Sequence, residues 1–339
     1  MKNYKKKYYE NLHQSYTVAE PATFYGRRCL YCYELLSGSN TDFHEACNKR
    51  FFGQLKTPVL SYNLNDLQQL ATKIIQSQMA VTGVQAKVSL SLFKKEDKNL
   101  TKKLTIVGLY GDYILKPPSE YYPQLPELES VTMRMAAVCG LPVVPSSLVK
   151  LQDETLCYIT KRVDRTRKGK LHMEDMCQLS ERLTEDKYKG SHEQVAKLVL
   201  KYSTNPLLDV SNFYELVLFS FFTGNSDMHL KNFSLLEKEN VGLVLSPAYD
   251  LVPTTLVNPT DTEELALTLN AKKKKLQYKD FLAAYESCGL SKKVLDNTLE
   301  IFKYCKPEML AVLDKSFVND EFKSNYNKLI NSRFTRLGL

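Results

Sequence analysis

Phe213-Tyr-Glu-Leu-Val-Leu-Phe-Ser-Phe-Phe222-Thr-Gly224-Asn-Ser-Asp227-Met-His229-Leu-Lys231-Asn232-Phe-Ser234, with Pro247-Ala-Tyr-Asp250-Leu behind it, is the stretch on which the reading of this chain turns. The run from Phe213 to Phe222 is apolar except for Glu215 and Ser220, which predicts a buried helix. Gly224 supplies its stop. A polar turn then presents Asp227 and Asn232, and Phe233 to Leu236 reads as a short β segment.

The spacing has a chemical reading. Phosphoryl transfer from a nucleotide needs a carboxylate beside the attacking hydroxyl, a polar group that helps hold Mg²⁺, and a second carboxylate bridging metal and phosphates. Asp227 and Asn232 stand in the Asp-x-x-x-x-Asn relation of a kinase catalytic loop, and Asp250 follows the next predicted hairpin, where a metal-binding aspartate belongs. Taken singly, Asn-Ser-Asp is also ordinary turn chemistry and Tyr-Asp an ordinary helix cap.

Composition bounds the rest. With 339 residues, 43% apolar and 25% charged, the chain is long enough for two or three lobes and reads as globular. No apolar run reaches the roughly 20 residues of a membrane span, and the Lys-rich start lacks the core of a secretory signal, so a cytoplasmic location and no membrane partner are expected. The net charge of +8 favours anionic ligands such as nucleotides without requiring nucleic acid. Eight dispersed cysteines are expected as thiols.

Four segments follow in order. Residues 1–28 form a basic arm, read as solvated. In residues 29–55, Cys29-x-x-Cys32 and His44-x-x-Cys47 have the spacing of a zinc knuckle, one pair on a turn and one on a short helix. Four protein ligands leave no open coordination position, so the zinc expected there is structural and supplies folding energy to a module too small for its own core. Residues 56–163 are β-rich. A helix is expected over Leu67–Gln76 with Asp66 as its cap, then strands Val88–Phe93, Leu104–Leu109 and Tyr113–Lys116, a helix from Pro126 to a stop at Gly140, and two closing strands, Leu141–Pro145 and Tyr158–Val163. Lys116 can reach nucleotide phosphates or can simply be an edge-strand lysine facing water. Glu129, in the first turn of the helix, can pair with it as the strand lysine and helix glutamate of kinases do. Thr160, Lys161 and Arg162 fall in the hinge expected to meet an adenine. Residues 164–339 are helical, with a lysine run at 272–275 read as a solvated turn and three or four amphipathic helices from Tyr278 to Arg336.

Six motifs now stand in a fixed order: Gly83-x-Gln85-x-Lys87, Ile114-Leu-Lys116-Pro, Tyr158-Ile-Thr-Lys-Arg-Val-Asp-Arg165, Glu174-Asp-Met-Cys-Gln178, Gly224-Asn-Ser-Asp227-x-His229-x-Lys231-Asn232 and Pro247-x-Tyr-Asp250. In this the chain resembles the HipA-type toxin kinases, well over residues 75–255 and loosely beyond. The resemblance implies an α+β, two-lobed serine/threonine kinase using ATP and Mg²⁺, the toxin of a pair whose antitoxin is a helix-turn-helix protein, with DNA met only through that antitoxin. It implies Asp227 as catalytic base, Asn232 and Asp250 as Mg²⁺ ligands, Lys116 on the phosphates, the Gly83, Gln85 and Lys87 loop over them, and His229 and Lys231 beside the nucleotide. Members of the family phosphorylate aminoacyl-tRNA synthetases, the substrate class implied.

Two departures qualify the likeness. The only N-terminal extension is the zinc-knuckle segment, which resembles the layout of short HipT-like toxins and implies a separate small protein as third partner. The loop serine self-phosphorylated in relatives is Ala80 in this chain, leaving Thr82 as the remaining hydroxyl, either a self-phosphorylation site or a turn-shaping residue. Two rival readings share the same residues: a small-molecule kinase, and a kinase-like body without catalysis whose zinc module and basic arm dock protein or DNA.

Overall fold

The computed structural model describes residues 27–37, 42–67, 69, 87–93, 102–107, 111–166 and 168–339. The basic arm, residues Thr82, Gly83 and Gln85 of the expected phosphate loop, and most of the helix expected over Leu67–Gln76 lie outside the described residues.

The β-rich half holds helix α1 (Glu45–Phe52) and strands β1 (Val59–Leu60), β2 (Val88–Phe93), β3 (Lys103–Ile106), β4 (Tyr113–Lys116), β5 (Ser146–Lys150) and β6 (Leu156–Lys161), with helix α2 (Leu125–Val138) between β4 and β5. The strands form one sheet in the order β1-β3-β2-β4-β6-β5, parallel only at β1–β3. In register, Lys116 of β4 faces Tyr158 of β6 at the strand end, and Pro117-Pro118 stop the strand by removing its donors. Helix α2 packs against β5 and β6 and buries Glu129 along with its apolar residues.

A hairpin, β7 (Arg165–Thr166) and β8 (Gly169–Lys170), leads to β9 (Met173–Asp175), α3 (Met176–Leu179), α4 (His192–Tyr202) and α5 (Pro206–Thr223). Strands β10 (Ser234–Lys238) and β11 (Gly242–Leu245) pair antiparallel, and β9 joins on the other side of β10. Helices α6 (Thr254–Val257), α7 (Tyr278–Glu286), α8 (Lys292–Lys315) and α9 (Asp320–Arg336) complete the helical half.

Helix α5 is its axis. Phe213, Phe219, Phe221 and Phe222 are wholly buried, and Phe222 stacks on Phe334 of α9 at 4.1 Å between ring centroids. The helix starts at Pro206, seven residues before the apolar run, because a proline preset to helical φ nucleates the first turn while Leu207 and Leu208 remain exposed. The strand expected at Leu141–Pro145 lies instead at Ser146–Lys150. Pro142 and Pro145 lack the N–H groups a ladder needs, so that segment makes only a short bridge, with Val144 N donating to Ala248 O and Ala248 N to Pro142 O. Asp66 is not the helix cap: Asn63 is, its side chain accepting from Asp66 N at 2.9 Å while Asp66 accepts from Asn63 N at 3.0 Å. The lysine run is cross-linked within the chain, Lys272 to Asp280, Lys273 to Glu263 and Lys274 to Thr262.

Gly224 closes α5 at φ +68°, and a Cβ there would come within 2.3 Å of Thr255 Oγ1 and 2.5 Å of Leu329 Cδ2. Gly53 closes α1 at φ +70° with nothing within 4 Å. Both to alanine should lose the left-handed allowance, about 1–2 kcal/mol, and Gly224→Ala should lose substantially more through the clash. Urea midpoints of the two variants check this; equal losses would contradict it.

Candidate active site

The site begins with one buried charge. Lys116, at the end of β4, has a side chain only 5% exposed; its ammonium lies 2.5 Å from Glu129 Oε1 and bonds Asp250 Oδ1. Glu129 reaches it from the first turns of α2, where it is wholly buried. Asp250 comes from the segment after β11, which the Ala248 bridge pins to the β-rich half. Its backbone is left-handed, φ 61°, which aspartate tolerates better than most residues and which turns the carboxylate toward the lysine. Lys87, half exposed, lies 3.3 Å from Asp250 Oδ2.

These contacts set the titration of the cluster. Burial raises the Asp250 carboxyl, but Lys116 and Lys87 outweigh it and hold the group well below the usual carboxylate range. Burial pushes Glu129 up to about 7 against the pull of Lys116. Burial alone would lower Lys116; Asp250 and Glu129 reverse this and hold it above the usual lysine value.

The second part of the site is the loop after α5. Gly224 O accepts from Thr255 N at 3.1 Å, and Ser226 N donates to Thr254 Oγ1 at 2.7 Å, so the turn is strapped to the chain just past Asp250. Asp227 N donates to Asn225 Oδ1, a local Asx closure. Asn232 Nδ2 donates to the Asp227 carbonyl at 2.9 Å, so the amide oxygen is the atom Asn232 has for a cation. His229, between them, is buried with Nδ1 unpartnered; burial depresses its pKa, and it lies within electrostatic reach of both Asp227 and Asp250. Lys231 pairs with Asp175 at 2.7 Å.

The hinge residues are held inside the fold. Lys161 N donates to Pro145 O and Arg162 N to Asp112 O, Thr160 Oγ1 donates to Pro145 O, and the Arg162 guanidinium grips Asp164. What the strand end has for an adenine therefore excludes those two N–H groups.

Three contacts carry no signal in motif spacing or were not given a role by it. The Tyr188 hydroxyl donates to Asp227 Oδ1 at 2.6 Å. The residue sits on an exposed loop between two lysines, held to the loop after α5 by Leu230 N on Lys187 O, and nothing local marks it. Asp175 divides its oxygens, Oδ1 capping α3 at Gln178 N and Oδ2 on Lys231. The Asp-x-x-Gln spacing of a capping box is the signal that could have found the first half of that. Tyr249, beside Asp250, donates to the Lys231 carbonyl at 3.0 Å.

A separate cluster lies on the N-terminal module. Ligand atoms of Cys29, Cys32, His44 and Cys47 all fall within 4.8 Å of one another, close to the roughly 3.7 Å edges of a tetrahedron with metal–sulfur bonds of about 2.3 Å. His44 Nε2 is 3.0 Å from Leu35 O and donates to it, leaving Nδ1 as the lone pair 3.3 Å from Cys32 Sγ and 3.8 Å from Cys47 Sγ. That outer hydrogen bond fixes the tautomer a metal needs.

Comparison with known proteins bears on the family and the fold. The HipA-like C-terminal domain family matches residues 79–308. The chain belongs to that family. It is 31% identical over 236 residues to a Sinorhizobium fredii protein named as a kinase, Y4dM, covering 65% of this chain and 56% of that protein, so the chain spans little more than half the length of this relative. A Haemophilus influenzae protein, also named as a kinase, is 30% identical over 250 residues, covering 65% of this chain and 70% of its own length. Among solved structures, HipA of Shewanella oneidensis MR-1, determined with HipB and its operator DNA as a toxin–antitoxin system, superposes with a TM-score of 0.63 at 21% identity over 79% of this chain and 70% of HipA. The Helicobacter pylori proinflammatory kinase CtkA gives 0.51 at 16% identity, covering 74% and 93%. The HipA-like fold is thus the two-lobed, kinase-like α+β architecture, with the Cys₃His module ahead of it. No described helix is long and apolar enough to cross a membrane.

The charge cluster has a pH signature. Asp250 has a folded pKa below its unfolded value of about 3.9, so its contribution to stability is complete above that pH and is lost as pH falls toward the folded value. The gap in urea midpoint between wild type and Asp250→Asn should therefore narrow as pH falls below about 4, separately from any change between about pH 4.5 and 7 that comes from Glu129, whose carboxyl Asp250 helps to raise. A gap that stays unchanged as pH falls from about 5 to 2 would contradict the assignment.

Proposed function

We propose that this HipA-like chain is an ATP-dependent protein serine/threonine kinase and the toxin of a toxin–antitoxin pair, with an aminoacyl-tRNA synthetase as its substrate class. The observation that carries the reading is Asp227: its carboxylate already accepts a hydroxyl hydrogen bond, from Tyr188, on a loop joined to Asp250 by straps at Thr254 and Thr255. In the reaction the substrate hydroxyl takes the place of Tyr188 and donates to Asp227. Its oxygen attacks the γ-phosphorus of ATP, the proton passes to Asp227, and ADP leaves. Lys116, oriented by Glu129, offers its ammonium to the phosphates, and Lys87, on the other oxygen of Asp250, can meet them too.

The residues fit the metal such a reaction uses. Asp250 already carries two ammonium groups, so cationic charge is favoured at its oxygens, and Asn232 has an amide oxygen beside the same loop. Asn232 and Asp250 would hold Mg²⁺, which when bound neutralises charge on the transferring phosphates. Cys29, Cys32, His44 and Cys47 would hold a structural Zn²⁺. The toxin role is supported by membership of the HipA-like family and by HipA of S. oneidensis having been solved with HipB; a helix-turn-helix antitoxin and a small third protein are the partners we propose. Thr82 is proposed as the self-phosphorylated residue of the phosphate loop.

Asp227→Asn should lower phosphoryl transfer by about 10²–10⁴-fold with an unchanged urea midpoint. Tyr188→Phe, which removes only a competing hydroxyl, should keep kcat and lower KM for the protein acceptor a few-fold. Radiolabelled ATP with a bacterial lysate reads the substrate class: a labelled protein band supports the proposal, and a labelled small molecule or no label overturns it.

A further inference from the structure

The Cys₃His module touches both elements that make the Lys116–Glu129 pair. On one side, Tyr33 is wholly buried between the cysteine turn and α2, and its hydroxyl lies 2.6 Å from Ser130 Oγ, the residue directly after Glu129. One turn further along α2, Arg134 donates to the Tyr31 carbonyl at 2.8 Å and lies over the rings of Tyr31 and Tyr33, 5.9 and 5.3 Å from their centroids. On the other side, Phe51 and Phe52 of α1 pack on Tyr113 of β4, three residues before Lys116, at 5.9 and 6.2 Å. The module also reaches the β5 edge of the sheet, where Leu30 O accepts from Leu148 N and from Ser147 Oγ.

From this we infer that the metal-loaded module is a brace that sets helix α2 against strand β4, and so determines whether Glu129 reaches Lys116. The inference rests on the kinase reading for the role of that pair. Tyr31 and Tyr33 lie on the turn whose shape depends on Cys29 and Cys32 being drawn to one metal. Tyr33 adopts φ 66°, a left-handed conformation that a bulky side chain rarely keeps without such a constraint. So short a segment cannot hold that turn with a core of its own; metal ligation supplies the folding energy. With the metal gone the turn relaxes, Tyr33 leaves Ser130, and α2 keeps its tie to the far side, Thr132 Oγ1 to Tyr326 of α9 at 2.9 Å. The helix keeps its packing on β5, β6 and α8 but loses the contacts made at Ser130 and Arg134, just past Glu129, and a buried glutamate that must stay within hydrogen-bond reach of Lys116 is the group that suffers. Tyr33, Ser130 and Arg134 are thus positioning residues, outside the reacting groups.

The test uses the full chain, kept reduced, with zinc counted by elemental analysis. Amide hydrogen exchange is followed over residues 125–138, with residues 206–223 of α5 as internal reference. Chelation should remove one zinc per chain and speed exchange at 125–138 at least tenfold while leaving 206–223 protected. Tyr33→Phe, which keeps every metal ligand, should keep its zinc, show part of the same loosening, and lower kcat several-fold more than it changes KM for ATP. Native protein without zinc, unchanged exchange at 125–138 after chelation, or equal loss of protection in both helices would each overturn the brace. Loosening of 125–138 in a chain that phosphorylates nothing would uphold the brace and overturn the kinase reading instead.

Discussion

A lysine ammonium placed almost wholly out of water is the constraint around which this molecule is arranged. An unpaired buried ion costs several kcal/mol, and Lys116 avoids that only by meeting two carboxylates brought from distant parts of the chain. Glu129 must be delivered by α2 and Asp250 by the segment after β11, so the β-rich and helical halves cannot drift apart without exposing the mismatch. The prolines at 142 and 145 acquire their meaning in the same way: by denying a regular strand there, they free Val144 and Pro142 to bridge Ala248 and anchor Asp250 where the lysine requires it.

Elements whose cause is local were legible in the sequence. Val88–Phe93 and Tyr113–Lys116 alternate or run apolar between clear stops, and both strands have the expected bounds. Phe213–Phe222 could only be a buried helix, and Gly224 only its end, since a side chain there meets Thr255 and Leu329. The expected pairing of Lys116 with Glu129 is present, and Cys29, Cys32, His44 and Cys47 converge as their spacing implies, whereas the ion pair that joins Asp250 to Lys116 was no part of that reading. In each case the signal was a residue type whose burial or convergence has few alternative explanations.

What escaped the sequence depends on tertiary placement. Tyr188 is one tyrosine among 21, in a polar loop with no periodicity, and only the chain path past Lys187 and Leu230 puts it on Asp227. The hinge was legible as a strand end, but whether the N–H groups of Lys161 and Arg162 face a ligand or the protein's own carbonyls is decided by Pro145 and Asp112, which no motif includes. The lysine run at 272–275 is the exposed turn it was read as, with Lys272, Lys274 and Lys275 exposed; what its composition did not show is that Glu263 and Asp280 lie against it.

The charge of the Lys116 cluster bears on how a nucleotide would be met. Two ammonium groups face one carboxylate that stays ionised and a second, Glu129, that burial pushes up to about 7. Near neutral pH the cluster therefore lies between neutral and one positive charge, depending on Glu129. Low-dielectric surroundings magnify even that fraction. Triphosphate arriving at Lys116 and Lys87 would draw both ammoniums away from the carboxylates, and each carboxylate so released needs a cation in exchange. For Asp250, a quarter exposed, that cation can come from solvent. For Glu129, wholly buried, it cannot, so Lys116 must stay shared between glutamate and phosphate. That asymmetry of exposure separates the two carboxylates in the proposed reaction: Asp250 can exchange its lysine for a cation from solvent, and Glu129 can only keep it.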